Sequence, residues 1–132
     1  MITAHVDGGA RGNPGPAGYG AVITDDMGQT LAELYEGIGI STNNVAEYRG
    51  LIAALEWAAQ HGHRRLHVKS DSELIVRQML GTYRVKNEGL LPLYQQARHL
   101  AARVGHVTFE HVRREHNKEA DRLSNLGMDQ NG

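Results

Sequence analysis

Three acidic side chains stand where a carboxylate is either costly or well placed to work. Asp7 ends the run Ile2-Thr3-Ala4-His5-Val6-Asp7 and is followed by Gly8-Gly9. Two positions without side chains let an ion or ligand approach a carboxylate closely, and they equally suit a tight turn. Glu47 falls within about 40° of Leu51 on a helical projection, at the edge of an apolar stripe. A charge there needs a partner, either a nearby arginine or a metal ion. Asp71 follows an apolar strand and opens Ser70-Asp71-Ser72-Glu73, which has the form of a capping box headed by Ser70. Strand-to-helix junctions are also where α/β folds place ligands. A fourth acid, Asp121, points away from Leu123 and Leu126, and the helical pattern fits an exposed carboxylate as well as a ligand. The chain has no cysteine, so any metal must be held by oxygen or imidazole. Its eight histidines include no His-x-x-x-His pair on a convincing helix, which argues against zinc. His5 reads as a packed strand residue.

The elements that must bring these groups together follow from periodicity. With 132 residues the chain fits one domain, 1–132, able to bury about two-thirds of its unfolded surface. A formal charge of -1 sets up no global field for a polyanion, so nucleic-acid binding requires a local basic patch. No leader and no apolar run of about 18 residues is evident, and a cytoplasmic protein without membrane contact is expected. Strands are predicted at 2–7, 18–24 and 30–37, the last two joined by Asp25-Asp26-Met27-Gly28. Pro14-Gly15 suits a type II turn. A helix over 44–60 ends at Gly62, with His61 and His63 placed to cap carbonyls. A strand at 65–70 leads into a helix carrying Leu74, Ile75, Val76 and Met79. Residues 81–91 are irregular, and Pro92 suits the first turn of a helix to 104. A last strand, 106–112, precedes a helix over 118–126 with Asn117 as its N-cap. The tail beyond Gly127 is expected to fray. Three strands in a meander followed by strand-helix-strand crossovers give a mixed five-stranded sheet with the first strand central. That order sets Asp7 beside Asp71 and brings Glu47 in from above.

At these positions the chain resembles ribonuclease H of type 1, in the compact form of archaeal and some bacterial members, along essentially its whole length. The matching pieces are Asp7-Gly8-Gly9 with Gly12-Asn13-Pro14-Gly15-Pro16-Ala17-Gly18-Tyr19-Gly20, Thr42-Asn43-Asn44-x-x-Glu47, Ser70-Asp71-Ser72 with Val76-Arg77-Gln78, and Asn117-x-x-Ala120-Asp121. The resemblance implies the ribonuclease H-like fold, an α/β architecture with sheet order 3-2-1-4-5 flanked by helices. It implies a metal-dependent endonuclease cutting the RNA strand of RNA/DNA hybrids to 5′-phosphate and 3′-hydroxyl products. Asp7, Glu47, Asp71 and Asp121 would be the catalytic, metal-holding carboxylates, with two Mg²⁺ or Mn²⁺ ions bound alongside substrate and Asp7 bridging them. Such close carboxylates repel one another without metal, so raised pKa values are expected.

The resemblance also implies substrate contacts. Gly9, Asn43, Asn44 and Glu47 match positions facing the ribose and minor groove, although one of the asparagines also suits a helix cap. Thr42 matches a DNA-strand phosphate pocket, and Lys86 and Asn87 match backbone contacts. The basic helix and loop that many relatives insert after the second helix is missing, so hybrid affinity is expected to be modest. The loop histidine of many relatives is missing too, leaving Arg114 or His116 for an auxiliary role. A monomer is expected. The alternatives are a nucleic-acid-binding module of this fold with weak chemistry and a nuclease that also accepts double-stranded RNA.

Overall fold

A computed structural model describes residues 1–131. The element order is β1 (Ile2–Ala10), β2 (Gly15–Thr24), β3 (Thr30–Ser41), α1 (Asn43–Gln60), β4 (Arg65–Ser70), α2 (Glu73–Leu80), α3 (Leu91–Val104), β5 (His106–His111) and α4 (Lys118–Asp129). The sheet order is β3-β2-β1-β4-β5, as expected, with β1 antiparallel to β2 and parallel to β4. Alternation in β1 buries Ile2, Ala4 and Val6 on one face, where they join Leu51, Leu55 and Ala58 of α1 and Leu66 and Val68 of β4 in the core. Within that core the Tyr48 hydroxyl donates to Gln78 Oε1, so neither polar group is left unpaired.

The opposite face of β1 and β2 is covered by α4, which lies almost directly on the backbone. A Cβ on Gly20 would stand 2.5 Å from the Leu123 Cβ, and one on Gly18 would stand 2.4 Å from the Met128 nitrogen. This packing overturns the frayed tail. The last helix runs on to Asp129, Met128 is buried, and Asn131 accepts from the Gly39 nitrogen while donating to the Ala17 carbonyl. Of that tail, only residue 132 lies outside the described residues.

Other boundaries shift for similar reasons. β1 does not break at Asp7 but continues through Gly8 and Gly9, which pair with Tyr19 and Gly18. β2 already begins at Gly15, whose φ is not positive, so the type II turn is replaced by a loop closed by Arg11 N–H donating to the Pro16 carbonyl. Ser72, not Ser70, caps α2 by accepting from the Ile75 nitrogen at 3.3 Å. Ser70 Oγ instead accepts from the Ser72 nitrogen, fixing the sharp exit from β4. His61 fulfils its expected capping role, its Nδ1 2.8 Å from the Trp57 carbonyl. His5 is half-buried, and burial, then Lys69, lowers its imidazole pKa. Among the described residues no helix is long and apolar enough to cross a membrane.

Candidate active site

The parallel register pairs Val6 with Ser70, so Asp7, still within β1, and Asp71, just past the end of β4, come to lie side by side. Glu47 comes from the first turns of α1, which passes so close to β1 that no side chain fits between them. A Cβ on Gly8 would lie 2.4 Å from the Ala46 carbonyl carbon. The Gly8 N–H then donates to both acids at once, to Asp7 Oδ1 at 2.9 Å and to Glu47 Oε1 at 3.1 Å. Oxygens of Asp7, Glu47 and Asp71 all lie within 4.8 Å of one another. On the far side the Ser124 hydroxyl sits 3.2 Å from Asp7 Oδ2 and 2.8 Å from the Asp121 carbonyl, tying α4 to β1.

Electrostatics in this cluster are unfavourable for the protein alone. Burial, then the neighbouring Asp71, raises the Asp7 pKa from 3.8 to about 7, with Asp121 adding to the effect. Burial raises Glu47 well above its usual range, followed by Asp7 and Asp71, while the Gly8 N–H works the other way. Asp7 is 7% exposed and Glu47 6%, yet among the described residues no ion pair joins either to a Lys or Arg. Glu47 Oε2 is buried with no hydrogen-bond partner. An arginine partner for Glu47 is thereby ruled out, and the orphaned oxygen beside two further carboxylates fits a divalent cation. The donors are all oxygen, which suits Mg²⁺ or Mn²⁺.

These groups line one cleft of about 580 Å³ together with Asp121, Gly9, Asn43, Asn44 and Arg114. Asp121, whose orientation the helical pattern did not decide, lines this cleft and is close enough to raise the Asp7 pKa, but it stands outside the group of three whose oxygens lie within 4.8 Å of one another. Asn43 is already committed in part, its Oδ1 accepting from the Ala10 nitrogen at 2.7 Å. The cap of α1 is Thr42, through Val45 N–H to Oγ1, so neither asparagine serves as the cap. Thr42, Lys86 and Asn87 lie outside the cleft wall, and Asn87 is a local turn-former whose Oδ1 accepts from the Gly89 and Leu90 nitrogens. His116 faces a different groove, beside His5. Asn117 is the N-cap residue of α4, as expected, but its side chain makes no capping hydrogen bond; its Nδ2 donates instead to the Val6 carbonyl at 2.9 Å.

The sequence reading missed His111, Arg113 and Ser124, all on the cleft wall. His111 pairs with Ser70 and so ends beside Asp71, a placement the parallel register carries. Ser124, three residues after Asp121 on the same helix, had that spacing as its signal.

Comparison with known proteins gives this geometry its context. A family model described as reverse transcriptase-like matches residues 5–127. The crystal structure of RNase H1 from Halobacterium salinarum matches with a TM-score of 0.93 and 39% identity, covering 98% of both chains. The chain belongs to the ribonuclease H family. Another ribonuclease H, LC11-RNase H1, whose structure is in complex with an RNA/DNA hybrid, is 47% identical with a TM-score of 0.93, again covering 98% of both chains. The bifunctional protein Rv2228c of Mycobacterium tuberculosis is 51% identical over 97% of this chain, which spans only 35% of that relative. The N-terminal RNase H domain of Rv2228c, in a fusion structure, matches with a TM-score of 0.95, covering 98% of this chain and 94% of that one.

Proposed function

We propose that this ribonuclease H chain hydrolyses the RNA strand of RNA/DNA hybrids, leaving 5′-phosphate and 3′-hydroxyl ends, with two Mg²⁺ or Mn²⁺ ions engaged when substrate is bound. The observation that carries the reading is the group Asp7, Glu47 and Asp71, the first two buried and without a Lys or Arg partner among the described residues, with one Glu47 oxygen unpartnered. Bound there, the ions supply the positive charge that makes water nucleophilic and stabilises the departing 3′ oxygen. Asp7, central in the group and fixed at both oxygens by Gly8 and Ser124, would be shared between the ions. Glu47 and Asp71 would complete one ion's site, and Asp121, at the α4 wall, the other's.

Recognition follows from the same cleft. Gly9 offers backbone without a side chain in the way, and Asn43 and Asn44 offer amides where a ribose 2′-hydroxyl distinguishes RNA from DNA. Arg113 and Arg114 on the opposite wall provide charge for phosphates, with Arg114 as the auxiliary residue.

The test incubates end-labelled RNA/DNA hybrid, double-stranded RNA and double-stranded DNA with the protein in Mg²⁺ or Mn²⁺, beside Asp71→Asn. Hybrid cleavage that disappears in the folded variant supports the proposal. A wild type that leaves hybrid intact in both metals, or a variant that cuts at the wild-type rate, overturns it. Cutting of double-stranded RNA would widen the substrate class.

A further inference from the structure

The end of the sheet farthest from the carboxylates has the opposite electrical character. No Asp or Glu occurs between Glu56 and Asp71, nor between Glu88 and Glu110, yet these stretches carry Arg64, Arg65, Lys69, Arg98 and Arg103, five of the chain's 14 Lys and Arg. The fold brings the ends of both stretches together. Gly62 (φ 73°) turns the chain out of α1 and Gly105 (φ 120°) turns it out of α3, left-handed conformations that favour glycine. The His106 N–H donates to the Arg64 carbonyl at 3.0 Å, locking one turn against the other. Between them lies a cleft of about 400 Å³ walled by Ala59, His63, Arg64, Arg103 and Val104. Arg65 and His106, paired in the β4–β5 register, stand at its edge.

Arg64, Arg65 and Arg103 are exposed, and among the described residues none has a carboxylate within ion-pair distance. Arg11, Arg49, Arg77, Arg113 and Arg122 each have one within 4.0 Å; of the basic side chains without one, Arg64 and Arg103 are distinguished by sharing one cleft. In a chain of net charge -1, a concave cationic site that its own acids do not neutralise is a local anion trap.

We propose that this cleft binds the phosphate backbone of a nucleic-acid duplex, at a site separate from the carboxylate cleft. Guanidinium forks match phosphate oxygens two at a time, and two loops held by a shared hydrogen bond keep the forks in place. The large exposed apolar side chains, including Leu31, Tyr35, Ile40, Leu80 and Tyr83, lie elsewhere. The apolar side chains of the cleft are limited to Ala59 and Val104, less than the apolar centre expected of a protein partner or an inserted membrane contact. From Glu47 to Gln60 helix α1 spans about 20 Å, which sets these arginines well apart from the carboxylates. The duplex bound here is a second one or another segment of a long one. The proposal goes beyond the nuclease reading and does not depend on it.

The protein carries its own reporter. Trp57, its one tryptophan, stacks on His61 at 4.1 Å and on His63 at 5.4 Å, and His63 lines the cleft. The full chain in EDTA is titrated with a short DNA duplex while Trp57 fluorescence is followed. A saturable change is expected, weakening with salt at a log-log slope of about -2 to -3 for two or three phosphates. Arg64→Gln/Arg65→Gln/Arg103→Gln, folded by circular dichroism, should bind at least tenfold more weakly. Asp71→Asn should leave the Trp57 response unchanged while removing any hybrid cleavage, which separates failure of this site from failure of the carboxylate site. The proposal is overturned by a silent Trp57, by unaltered binding in the triple variant, or by inorganic phosphate matching the duplex at equal phosphate concentration.

Discussion

Asp7→Asn is expected to abolish hybrid cleavage and, at the same time, to make the metal-free protein more stable at pH 8. The substitution keeps the local hydrogen bonds. An asparagine oxygen accepts from the Gly8 N–H as Asp7 Oδ1 does, and its amide nitrogen can donate to Ser124 Oγ, whose own hydrogen has the Asp121 carbonyl 2.8 Å away. What it removes is a buried negative charge. The folded pKa of Asp7, about 7, lies above its ordinary 3.8, so the folded state holds the proton more tightly than the unfolded chain. The stability this group contributes is complete below about pH 4 and is lost as the pH rises through 7. The whole shift corresponds to about 4 kcal/mol. Burial is its first cause and Asp71 the next, and the hydrogen bond with Glu47 works the other way and is also lost, so about half of it, ~2 kcal/mol, is taken as relieved by the substitution. For a chain of this size that raises Tm by about 7 °C. The assay is paired thermal melts in EDTA at pH 8 and pH 5, where the other titrating groups are common to both proteins and cancel. At pH 5 the advantage should shrink to less than half, because Asp7 is already protonated in the folded wild type. Adding Mg²⁺ at pH 8 should then stabilise the wild type preferentially, since an ion that binds only the native carboxylate cluster acts by mass action. A variant that melts at or below the wild type at pH 8, or an advantage of equal size at both pH values, would refute this account of the cluster.

Gly8→Ala forces a methyl to within 2.4 Å of the Ala46 carbonyl carbon, so α1 or β1 must shift at a cost of about 3 kcal/mol, seen as a lower urea midpoint and lost activity. Asn117→Ala strips the buried Val6 carbonyl of its donor and should cost about 2 kcal/mol, with cleavage reduced because Asp121 rides on the helix that Asn117 ties down; denaturation and initial rates check both. Tyr48→Phe leaves Gln78 Oε1 buried without its donor, for a loss of about 1 to 2 kcal/mol in chemical denaturation and no change in kcat, since it lies away from the cleft.

The parts of the site legible in the sequence were those with a local signature. Glu47 broke an apolar stripe, and Asp71 sat where a strand hands over to a helix; both signals survive any tertiary arrangement. Asp121 had no such signature. Its direction depends on how α4 lies across Gly18 and Gly20 of β2, residues about 100 positions away in the chain. The same long-range contact explains the missed C-terminal extension of α4, since Gly127 and Met128 look like a fraying end until the sheet they pack on is known. The strand lengths were missed because glycines read as breakers. Gly8 and Gly9 are instead held in the ladder by Tyr19 and Gly18. Capping serines and asparagines were confused for a simpler reason. Ser70 and Ser72 offer equivalent hydroxyls two residues apart, and only the exit angle of β4 selects between them. Asn117 does hold the N-cap position, but its side chain had several backbone partners in reach, and the sequence carries no information about which is nearest.

One amide hydrogen, that of Gly8, lies between the acid of the preceding residue and that of Glu47, 39 residues further along the chain. A peptide N–H has no side chain to mutate and no proton to lose near neutrality, so substitutions elsewhere leave this ruler in place. The gap between the two oxygens it aligns is therefore a property of the backbone. Variants that alter the walls of the cleft can change its lining while this spacing is inherited intact.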